Sequence, residues 1–337
     1  MPLTLVLAAV LLAFGTAASG GSFGGRAKAG YQTIRYQTSP GEVDPLELGS
    51  YLGYLPGIPI KSVGVVLGGP AAIQGVATGA ADIGTSFWGT VTAAIGRGAH
   101  LVGVLGSYGS DRQEYEGLYV NSKSPIHSAK DLIGKNVGVN TLGANATVFT
   151  DLWLAKQGLT PAQIKKVGFV AVSPTAAAEA LSSGRIDAAE LSPDNIKPVL
   201  AKGTVRLINP KATDIGTLGP YTGGGYVLNT AFVKSHPAEA KELVTGLART
   251  IHWLQVTPRA KAIRVQLKVL EQHGRGSDAK FVKSWLSAGV AEPYGYIKPA
   301  DFTRWIPPEL VGGELTKGKV PPLSKLYTNQ YNAYAPK

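Results

Sequence analysis

Two stretches of the chain repeat the same order of residues about a hundred positions apart. Residues 69–84 and residues 173–189 each hold a proline that opens an alanine-rich segment, a glycine that ends it, and an aspartate followed by an apolar run. Proline suits the first turn of a helix because it has no N–H to lose, and glycine suits a helix C-terminus because it tolerates positive φ. Each copy therefore predicts a helix that returns into a short strand.

The two copies constrain the fold more than any single motif does. The equivalent pairs are Pro70 with Pro174, Gly79 with Gly184, and Asp82 with Asp187. A helix followed by a buried strand is a unit of an α/β protein with a parallel sheet. Two such units predict two similar lobes, unless helix-glycine-strand junctions have simply recurred by chance, as they can in any α/β protein.

The N-terminus has the pattern of a secretory signal. An apolar run at residues 3–14 is followed by small residues at 15–19, which predicts a signal peptide over residues 1–18 and then a glycine-rich spacer over 19–30. No Lys or Arg precedes the apolar run, as would be usual for a complete signal. The run is too short to span a bilayer comfortably. We expect a mature protein of the periplasm.

Composition excludes several classes of function. The chain of 337 residues is 44% hydrophobic, enough for a large core and two domains, and it has no cysteine. Disulfides, thiolate chemistry and a lipid-attachment cysteine are therefore excluded. The net charge of +11 favours anionic partners. The basic residues are scattered, however, and the densest set, within 259–268, is typical of a solvated helix face, so no nucleic-acid partner is predicted.

Periodicity and turn signals predict alternating strands and helices, with a mainly helical C-terminal part. The predicted strands are 31–38, 60–67, 83–87, 101–107, 118–121, 136–140, 167–172, 188–192 and 203–209. The predicted longer helices are 42–54, 144–157, 236–257, 258–273, 278–287 and 299–305. The glycine-rich residues 218–225 are predicted to interrupt regular structure.

Four phrases of the chain resemble a known family: residues 68–74, 77–84, 128–139 and 229–237. In this order they are similar to the sulfonate, taurine and nitrate branch of periplasmic substrate-binding proteins of ABC importers, within the NMT1/THI5-like group. The chain departs from the family pattern at residues 190–194, where an aromatic-Glu-Pro phrase is usual, and it lacks the usual Gly-Phe/Tyr-Phe stretch in the first lobe. These departures leave the ligand in doubt rather than the fold.

The resemblance implies the type II periplasmic binding fold. In that α/β fold two lobes, each a mixed, mainly parallel sheet flanked by helices, are joined by two interlobe crossings. By analogy, lobe one comprises residues 31–115 plus 226–337, and lobe two comprises residues 116–225. Hinge crossings are then expected near 116 and at the glycines of 223–225, where a hinge must absorb changes in φ and ψ.

Ligand-binding residues are expected at the carboxyl ends of the strands. Helix N-termini there carry N–H groups and partial positive charge, which can hold an anion without a cationic side chain. The candidates in both lobes and in the crossing are Thr38, Ser39, Gly69, Ser86, Phe87, Trp88, Thr141, Asn145, Thr147, Ser192 and Tyr221.

Each candidate also has a purely structural interpretation. Phe87 and Trp88 could be core residues, Tyr221 could pack at the hinge, and Asn145, Thr147 and Ser192 could be helix caps. Glu190 is expected within its strand, with a contact to a ligand ammonium group as the less favoured alternative.

The sequence therefore predicts a monomeric receptor that captures a small anionic organic solute, preferably sulfonate-like, and delivers it to an ABC permease. No catalytic residue, metal or cofactor is predicted, because the five histidines lack metal-ligand spacing. The letters of a nucleophile elbow at 20–24 and of a phosphate loop at 313–319 lie in the wrong context. The alternatives are a cleft enzyme or a ligand-sensing module on the same fold, or an importer for nitrate, an aromatic carboxylate or a pyrimidine.

Overall fold

Ten strands form the framework of the computed structural model, which describes residues 31–208, 220–313 and 315–336. In chain order they are β1 (Ile34–Thr38), β2 (Ile60–Val65), β3 (Ile83–Phe87), β4 (Leu101–Ser110), β5 (Gly117–Asn121), β6 (Asn136–Val139), β7 (Gly168–Ala171), β8 (Ala188–Leu191), β9 (Val205–Leu207) and β10 (Tyr221–Asn229). The predicted signal peptide and spacer, and the predicted strand end at residue 209, lie outside the described residues.

Helices connect and cover these strands. They are α1 (Pro45–Tyr51), α2 (Gly69–Thr78), α3 (Trp88–Gly96), α4 (Asn145–Lys156), α5 (Pro161–Ile164), α6 (Pro174–Ser182), α7 (Pro193–Leu200), α8 (Thr230–Ser235), α9 (Pro237–Val256), α10 (Arg259–Gln272), α11 (Ala279–Val282), α12 (Pro299–Thr303), α13 (Ile306–Gly312) and α14 (Leu323–Leu326). No helix of the described ranges is long and apolar enough to cross a membrane.

The strands form two sheet systems with the same order. In the second system the order is β7-β6-β8-β5-β9, with β6 parallel to β7 and β8, and β5 antiparallel to β8 and β9. In the first system β1 pairs in parallel with β2, and β10 lies antiparallel between β3 and β4. Within this first system, the β1–β2 pair meets the β3–β10–β4 sheet where the Asp82 N–H, just before β3, donates to the Arg35 carbonyl of β1 at 2.8 Å. The predicted α/β fold with mixed sheets is confirmed, but the described sheets are not mainly parallel, since three strand pairs are parallel and four are antiparallel.

The repeated aspartates occupy equivalent places in the two sheet systems. Asp82 Oδ2 accepts the backbone N–H of Arg35 in β1 at 2.7 Å, and its other oxygen pairs with the Arg35 guanidinium at 2.7 Å. Asp187 Oδ2 accepts the backbone N–H of Asn136 in β6 at 2.9 Å. Each aspartate therefore fixes the start of its own strand to the strand beside it. This shared contact explains why the same residue recurs at this point of the pattern.

Residues 221–225 do not have the predicted irregular structure. These residues do not interrupt regular structure but form the first half of β10, between β3 and β4. A Cβ on Gly225 would overlap the Leu105 carbonyl oxygen, and a Cβ on Gly224 would overlap the Tyr108 ring. The glycines are therefore accounted for by close approach of neighbouring chain. The predicted helix at 278–287 is also shorter than expected, since only Ala279–Val282 is α-helical there.

A cluster of buried aromatic rings joins elements from both sheet systems. Trp305 is 1% exposed, and its ring centroid lies 4.8 Å from that of Phe87, at the end of β3. It also lies 5.4 Å from Phe149, which α4 contributes, and 5.4 Å from Tyr221 at the start of β10. The cluster therefore forms a continuous apolar core behind the carboxyl ends of the strands.

A buried carboxyl group on α4 should make stability depend on pH. Burial raises the pKa of Asp151 to about 6, and Oδ1 has no hydrogen-bond partner among the described residues. Because the folded-state pKa exceeds the unfolded one, stabilisation by protonation is complete below the unfolded value and is lost as the pH rises through about 6. We expect the stability of the wild type relative to Asp151→Asn to increase from about pH 7.5 to about pH 4 in urea titrations. Parallel pH profiles for the two proteins would contradict this expectation.

Candidate functional site

A cleft opens where the carboxyl ends of strands from both sheet systems face each other. Its main cavity has a volume of about 270 Å³ and a side cavity has about 100 Å³. The main cavity is lined by segments that follow β1, β2 and β6 and by the last residues of β3 and residues of β4. The lining also includes the first residues of α2, α4 and α6. The side cavity adds Glu190 and Leu191 of β8 and Ser192 after it. Open α/β sheets bind ligands at this edge.

Two residues lie at the centre of the cleft. Glu116 and Asn145 line the main cavity, the side cavity and a small inner corner that also contains Phe149 and Tyr221. A larger separate cavity of about 580 Å³ lies beside His252 and Trp285 and shares no lining residue with the cleft. Of its lining residues only Asp111 and Gln113 follow the end of a strand, β4, so the smaller cleft, where several strand ends meet, is the better candidate for ligand binding.

Several helices begin at the cleft without a side-chain cap. The N-terminal residues of α2, α3, α4 and α6 line the main cavity or lie next to residues that do, and none of the four has a capping hydrogen bond from its N-cap side chain. By contrast, α1 is capped by Asp44, whose Oδ1 accepts the Leu46 N–H at 2.7 Å. Backbone N–H groups without capping side chains are available for an anionic or neutral acceptor.

Seven of the predicted ligand residues line the cleft or its inner corner. They are Ser39, Gly69, Ser86, Phe87, Asn145, Ser192 and Tyr221. Their convergence follows from the topology: Ser86 and Phe87 end β3, Tyr221 opens β10, and the other four follow β1, β2, β6 and β8. Whether each contacts a ligand stays a prediction.

The other four predicted residues lie outside the lining. Trp88 is fully buried, with its ring centroid 4.6 Å from that of Phe302, so it is a core residue behind the cleft. Thr38 is buried and its hydroxyl donates to the Gly64 carbonyl at 3.4 Å. Thr141 and Thr147 belong to neither cavity nor corner. All eleven candidates have the expected positions in the sequence, but only seven line the cleft or its corner. The difference lies in the direction of the side chains, which the sequence alone does not reveal.

Thr141 instead marks a contact across the mouth of the cleft. A Cβ on Gly68 would overlap the Thr141 hydroxyl, and Asn140 Nδ2 donates to the Leu67 carbonyl at 3.5 Å. A Cβ on Gly41 would lie 3.2 Å from Thr175 Cγ2. The loops of the two sheet systems therefore touch at two places around the cavity.

The Ser86 hydroxyl is a polar group that the fold itself does not satisfy. Ser86 is 1% exposed and lines the main cavity, yet its Oγ has no hydrogen-bond partner among the described residues. A Cβ on Gly69 would overlap this oxygen, so glycine is required beside it. A buried hydroxyl without a partner costs free energy that a bound ligand could recover.

The charged residues that line the cleft are acidic. Four carboxylates face the cavities, from Glu42, Asp44, Glu116 and Glu190, and the described lining includes no Lys, Arg or His. Burial raises the pKa of Asp44 to about 6, although hydrogen bonds from the Tyr226 hydroxyl and the Leu46 N–H oppose the shift. Burial also raises the pKa of Tyr108, with smaller contributions from the carboxylates of Glu42 and Glu116.

Sequence reasoning missed several of these lining residues. Glu42, Asp44, Tyr108 and Glu116 were not predicted, and Glu190 was expected to lie within its strand, where it does lie, 6% exposed. Glu116 directly precedes β5, at the predicted crossing between the lobes. That position in the sequence could have identified it as a residue of the cleft. Among the described residues no group of three His, Asp or Glu side chains is arranged to hold a metal ion.

Comparisons with known proteins agree with this architecture. A family model described as NMT1/THI5 like matches residues 60–261. Comparison with curated proteins gave no match. The alkanesulfonate-binding protein SsuA from Xanthomonas axonopodis pv. citri, bound to MOPS, is 19% identical with a TM-score of 0.67, over 89% of this chain and 100% of that chain.

Two further solved structures share the fold. The periplasmic nitrate-binding protein NrtA from Synechocystis PCC 6803 is 10% identical with a TM-score of 0.69, over 89% of this chain and 87% of that chain. The desulfurization enzyme DSZB is 16% identical with a TM-score of 0.54, over 89% of this chain and 96% of that chain. The chain therefore has the periplasmic binding protein fold.

Proposed function

The chain belongs to the NMT1/THI5-like family, and on that premise we propose that it is the solute-binding receptor of an ABC importer. The observation that carries the proposal is the cleft at the carboxyl ends of the strands, lined by residues of both sheet systems. A ligand in this position touches both lobes, so its affinity for the closed form exceeds its affinity for an open form. The closed receptor then delivers the solute to the permease.

We propose that lobe one comprises residues 31–115 plus the part of the chain from β10 onward, and that lobe two runs from residue 116 to the segment before β10. The first crossing stays near 116, but the crossing expected at 223–225 falls inside β10, which pairs with β3 and β4 of lobe one, so we place the second crossing before residue 221. The contacts across the cleft mouth, between residues 67–68 and 140–141, support this division because each joins one proposed lobe to the other. We further propose that the receptor is a monomer of the periplasm.

The proposed ligand carries an anionic group, sulfonate-like in preference to nitrate, aromatic carboxylate or pyrimidine. The N-termini of α2, α3, α4 and α6 supply N–H groups and partial positive charge around the main cavity. The Ser86 hydroxyl can donate a further hydrogen bond to an anion oxygen. Micromolar affinity corresponds to about 8 kcal/mol, which a few charge-assisted hydrogen bonds and one apolar contact can supply after the cost of association.

A thermal-shift panel of sulfonates, nitrate, aromatic carboxylates and pyrimidines tests this proposal. The same panel is measured on a serine variant. At a hundred times Kd, a true ligand adds about 2.7 kcal/mol to the free energy of unfolding. We expect Ser86→Ala to keep the stability of the ligand-free protein and to weaken ligand binding about threefold to tenfold, because one hydrogen bond is lost. The exposed control Ser50→Ala should leave affinity unchanged. Equal affinities for wild type and Ser86→Ala would remove Ser86 from the site.

An enzyme on the same fold is the second candidate, and the desulfurization enzyme DSZB is the observation that keeps it open. Recovery of the bound solute chemically unchanged after prolonged incubation would count against it. A solute-uptake assay distinguishes an importer receptor from a ligand-sensing module. Deletion of the partner permease should abolish solute import only if the protein is an importer receptor.

A further inference from the structure

The cavity of about 580 Å³ beside His252 and Trp285 lies entirely within proposed lobe one. Its lining comes from the end of α9, the start of α10, the segment that follows α11 and two residues that follow β4. Ligand cavities in proteins commonly measure about 300–1,000 Å³. Because one lobe supplies every wall, a ligand here binds without closure of the cleft. This lobe-one cavity is therefore large enough for a second ligand, distinct from the solute.

Hydrogen bonds hold the walls of the lobe-one cavity in place. Gln255 Nε2 donates to the Val290 carbonyl at 3.1 Å, which ties α9 to the facing wall. The Ser287 hydroxyl donates to Asp111 Oδ2 at 2.5 Å, and Asp111 Oδ1 accepts the Gln113 N–H at 2.6 Å. Asp111 is the only carboxylate in the described lining, and donors of the fold occupy both of its oxygens. The cavity is thus preformed.

A residue with an unusual backbone conformation fixes the His252 ring. Tyr294 has a φ of 55° and is the only non-glycine residue with positive φ in the ranges that the structure describes. Such a conformation costs free energy and persists only where the surrounding contacts impose it. The Tyr294 ring stacks on His252 at 3.9 Å between centroids, with 18° between the ring planes. Because it covers one face of the imidazole, the opposite face and the ring edge are left to line the cavity.

Trp285 and Val256 add apolar surface to the same cavity. Trp285 is partly buried against the core cluster that includes Val269 and Leu270, which positions its ring. Val256 is 62% exposed, so the fold leaves a large apolar side chain of the lining in contact with water. Aromatic rings stack on flat groups, and a ligand that covers exposed apolar side chains gains free energy. The lining therefore suits a planar apolar body.

A fixed cation stands at the edge of these apolar walls. Arg259, the first residue of α10, donates from Nε to the Trp285 carbonyl at 2.7 Å and from Nη2 to the Lys283 carbonyl at 3.1 Å. These two bonds hold the guanidinium, yet no carboxylate pairs with it among the described residues. The Trp285 Nε1 and the His252 ring nitrogens also have no hydrogen-bond partner within the described ranges. A held guanidinium with unused donors beside it suits a carboxylate or sulfonate group.

We propose that the lobe-one cavity is a second binding site, which takes a planar aromatic anion. The aromatic body lies against the rings of His252 and Trp285, and the carboxylate or sulfonate group meets the Arg259 guanidinium. This site shares no lining residue with the cleft, so it is independent of the proposed capture of the solute.

Three probes that differ in charge or planarity test the class of ligand. They are 2-naphthoate, its uncharged planar analogue 2-naphthamide, and decahydro-2-naphthoate, which keeps the charge but is not planar. Binding is measured by isothermal titration calorimetry on the full chain. We expect 2-naphthoate to bind about tenfold or more tightly than either analogue, because only it offers both the flat ring and the anionic group.

Histidine resonances locate the bound probe. The chain has five histidines, and the described lining of the cleft contains none of them. In protein labelled selectively at histidine, we expect 2-naphthoate to shift the ring signals of His252 in NMR spectra. Those of the exposed His127 and His236 should stay in place. Binding that leaves His252 unshifted would put the probe elsewhere and overturn the inference.

A charge-neutral variant tests the role of Arg259. Arg259→Gln should weaken 2-naphthoate about tenfold while changing 2-naphthamide less than about threefold. Lys261→Gln removes one exposed charge from the same helix outside the lining, and it should change neither probe. Equal weakening of both probes in Arg259→Gln would contradict the placement of the anionic group.

The outcomes separate this inference from the receptor function. Absence of 2-naphthoate binding, or equal affinities for the three probes, would overturn the proposed site and leave capture of the solute in the cleft untouched. Failure of every member of the thermal-shift panel to bind in the cleft would count against the receptor, while a shift of His252 by 2-naphthoate would still support the second site.

Discussion

Replacing Trp305 by alanine is expected to lower the free energy of unfolding by about 3–5 kcal/mol. The side chain is 1% exposed, so the substitution leaves a cavity in addition to removing apolar contact. Edge-to-face packing with Phe87, Phe149 and Tyr221 is lost at the same time, and such aromatic pairs contribute about 0.5–1.5 kcal/mol each beyond area burial. Chemical denaturation followed by circular dichroism measures the change.

The same substitution should weaken ligand binding, because Phe87 and Tyr221 belong to the wall of the cleft. Trp305→Phe keeps a ring in the cluster and should cost less than the alanine variant. Tyr51→Ala, at a side chain that is 41% exposed, serves as the matched control and should change stability by less than about 1 kcal/mol. A loss for Trp305→Ala no larger than that of this control would show that the cluster does not stabilise the fold.

The repeated pattern predicted the fold well because its features are local. Gly79 and Gly184 have φ of 78° and 74°, as a helix C-terminus requires, and the strands that follow begin at Ile83 and Ala188. Helix ends and short apolar runs depend on neighbours in the sequence, so they can be recognised without knowledge of the tertiary structure. The similarity of the two sheets could therefore be predicted from the sequence alone.

The cleft was only partly predictable because it depends on contacts between distant segments. The sequence located Ser39, Gly69 and Ser86 at strand ends, and these do line the cavity. It did not locate Glu116 or Tyr108, since the pairing of β4 and β5 with strands far along the chain brings them to the cleft. The acidic lining emerges only from that pairing.

The glycines of β10 were also mispredicted because their role depends on contacts with distant segments. A run of three glycines is typical of a loop. At Gly224 and Gly225, however, neighbouring chain approaches too closely for a side chain, as the overlap of a Gly225 Cβ with the Leu105 carbonyl oxygen shows. Close approach is a property of the partner strand, not of the run itself. The interruption predicted at this place was wrong for that reason.

A buried ion pair behind the cleft gives the second large expected effect. Glu47 is 1% exposed, its Oε2 lies 2.5 Å from the Arg275 guanidinium, and its Oε1 accepts the Tyr36 hydroxyl at 2.9 Å. Arg275→Met removes the cation and leaves a buried carboxylate with a single neutral donor and His273 Nδ1 at 3.9 Å. We expect a loss of about 3–5 kcal/mol in free energy of unfolding, as for other buried pairs that lose one partner.

The double variant separates the value of the pair from the cost of breaking it. Glu47→Gln combined with Arg275→Met removes both charges, so most of the stability lost in Arg275→Met should return, since a neutral amide is far less costly to bury than a carboxylate. Arg264→Met, exposed on the preceding helix α10, controls for the substitution itself and should have little effect. If the double variant were as unstable as Arg275→Met, the loss would come from the packing of the arginine stem and its contact with the Ser39 carbonyl at 3.5 Å. Urea titrations of the three variants against wild type decide between these results. Because Ser39 lines the cleft, the same series measured with ligand shows whether the pair also maintains the shape of the cavity.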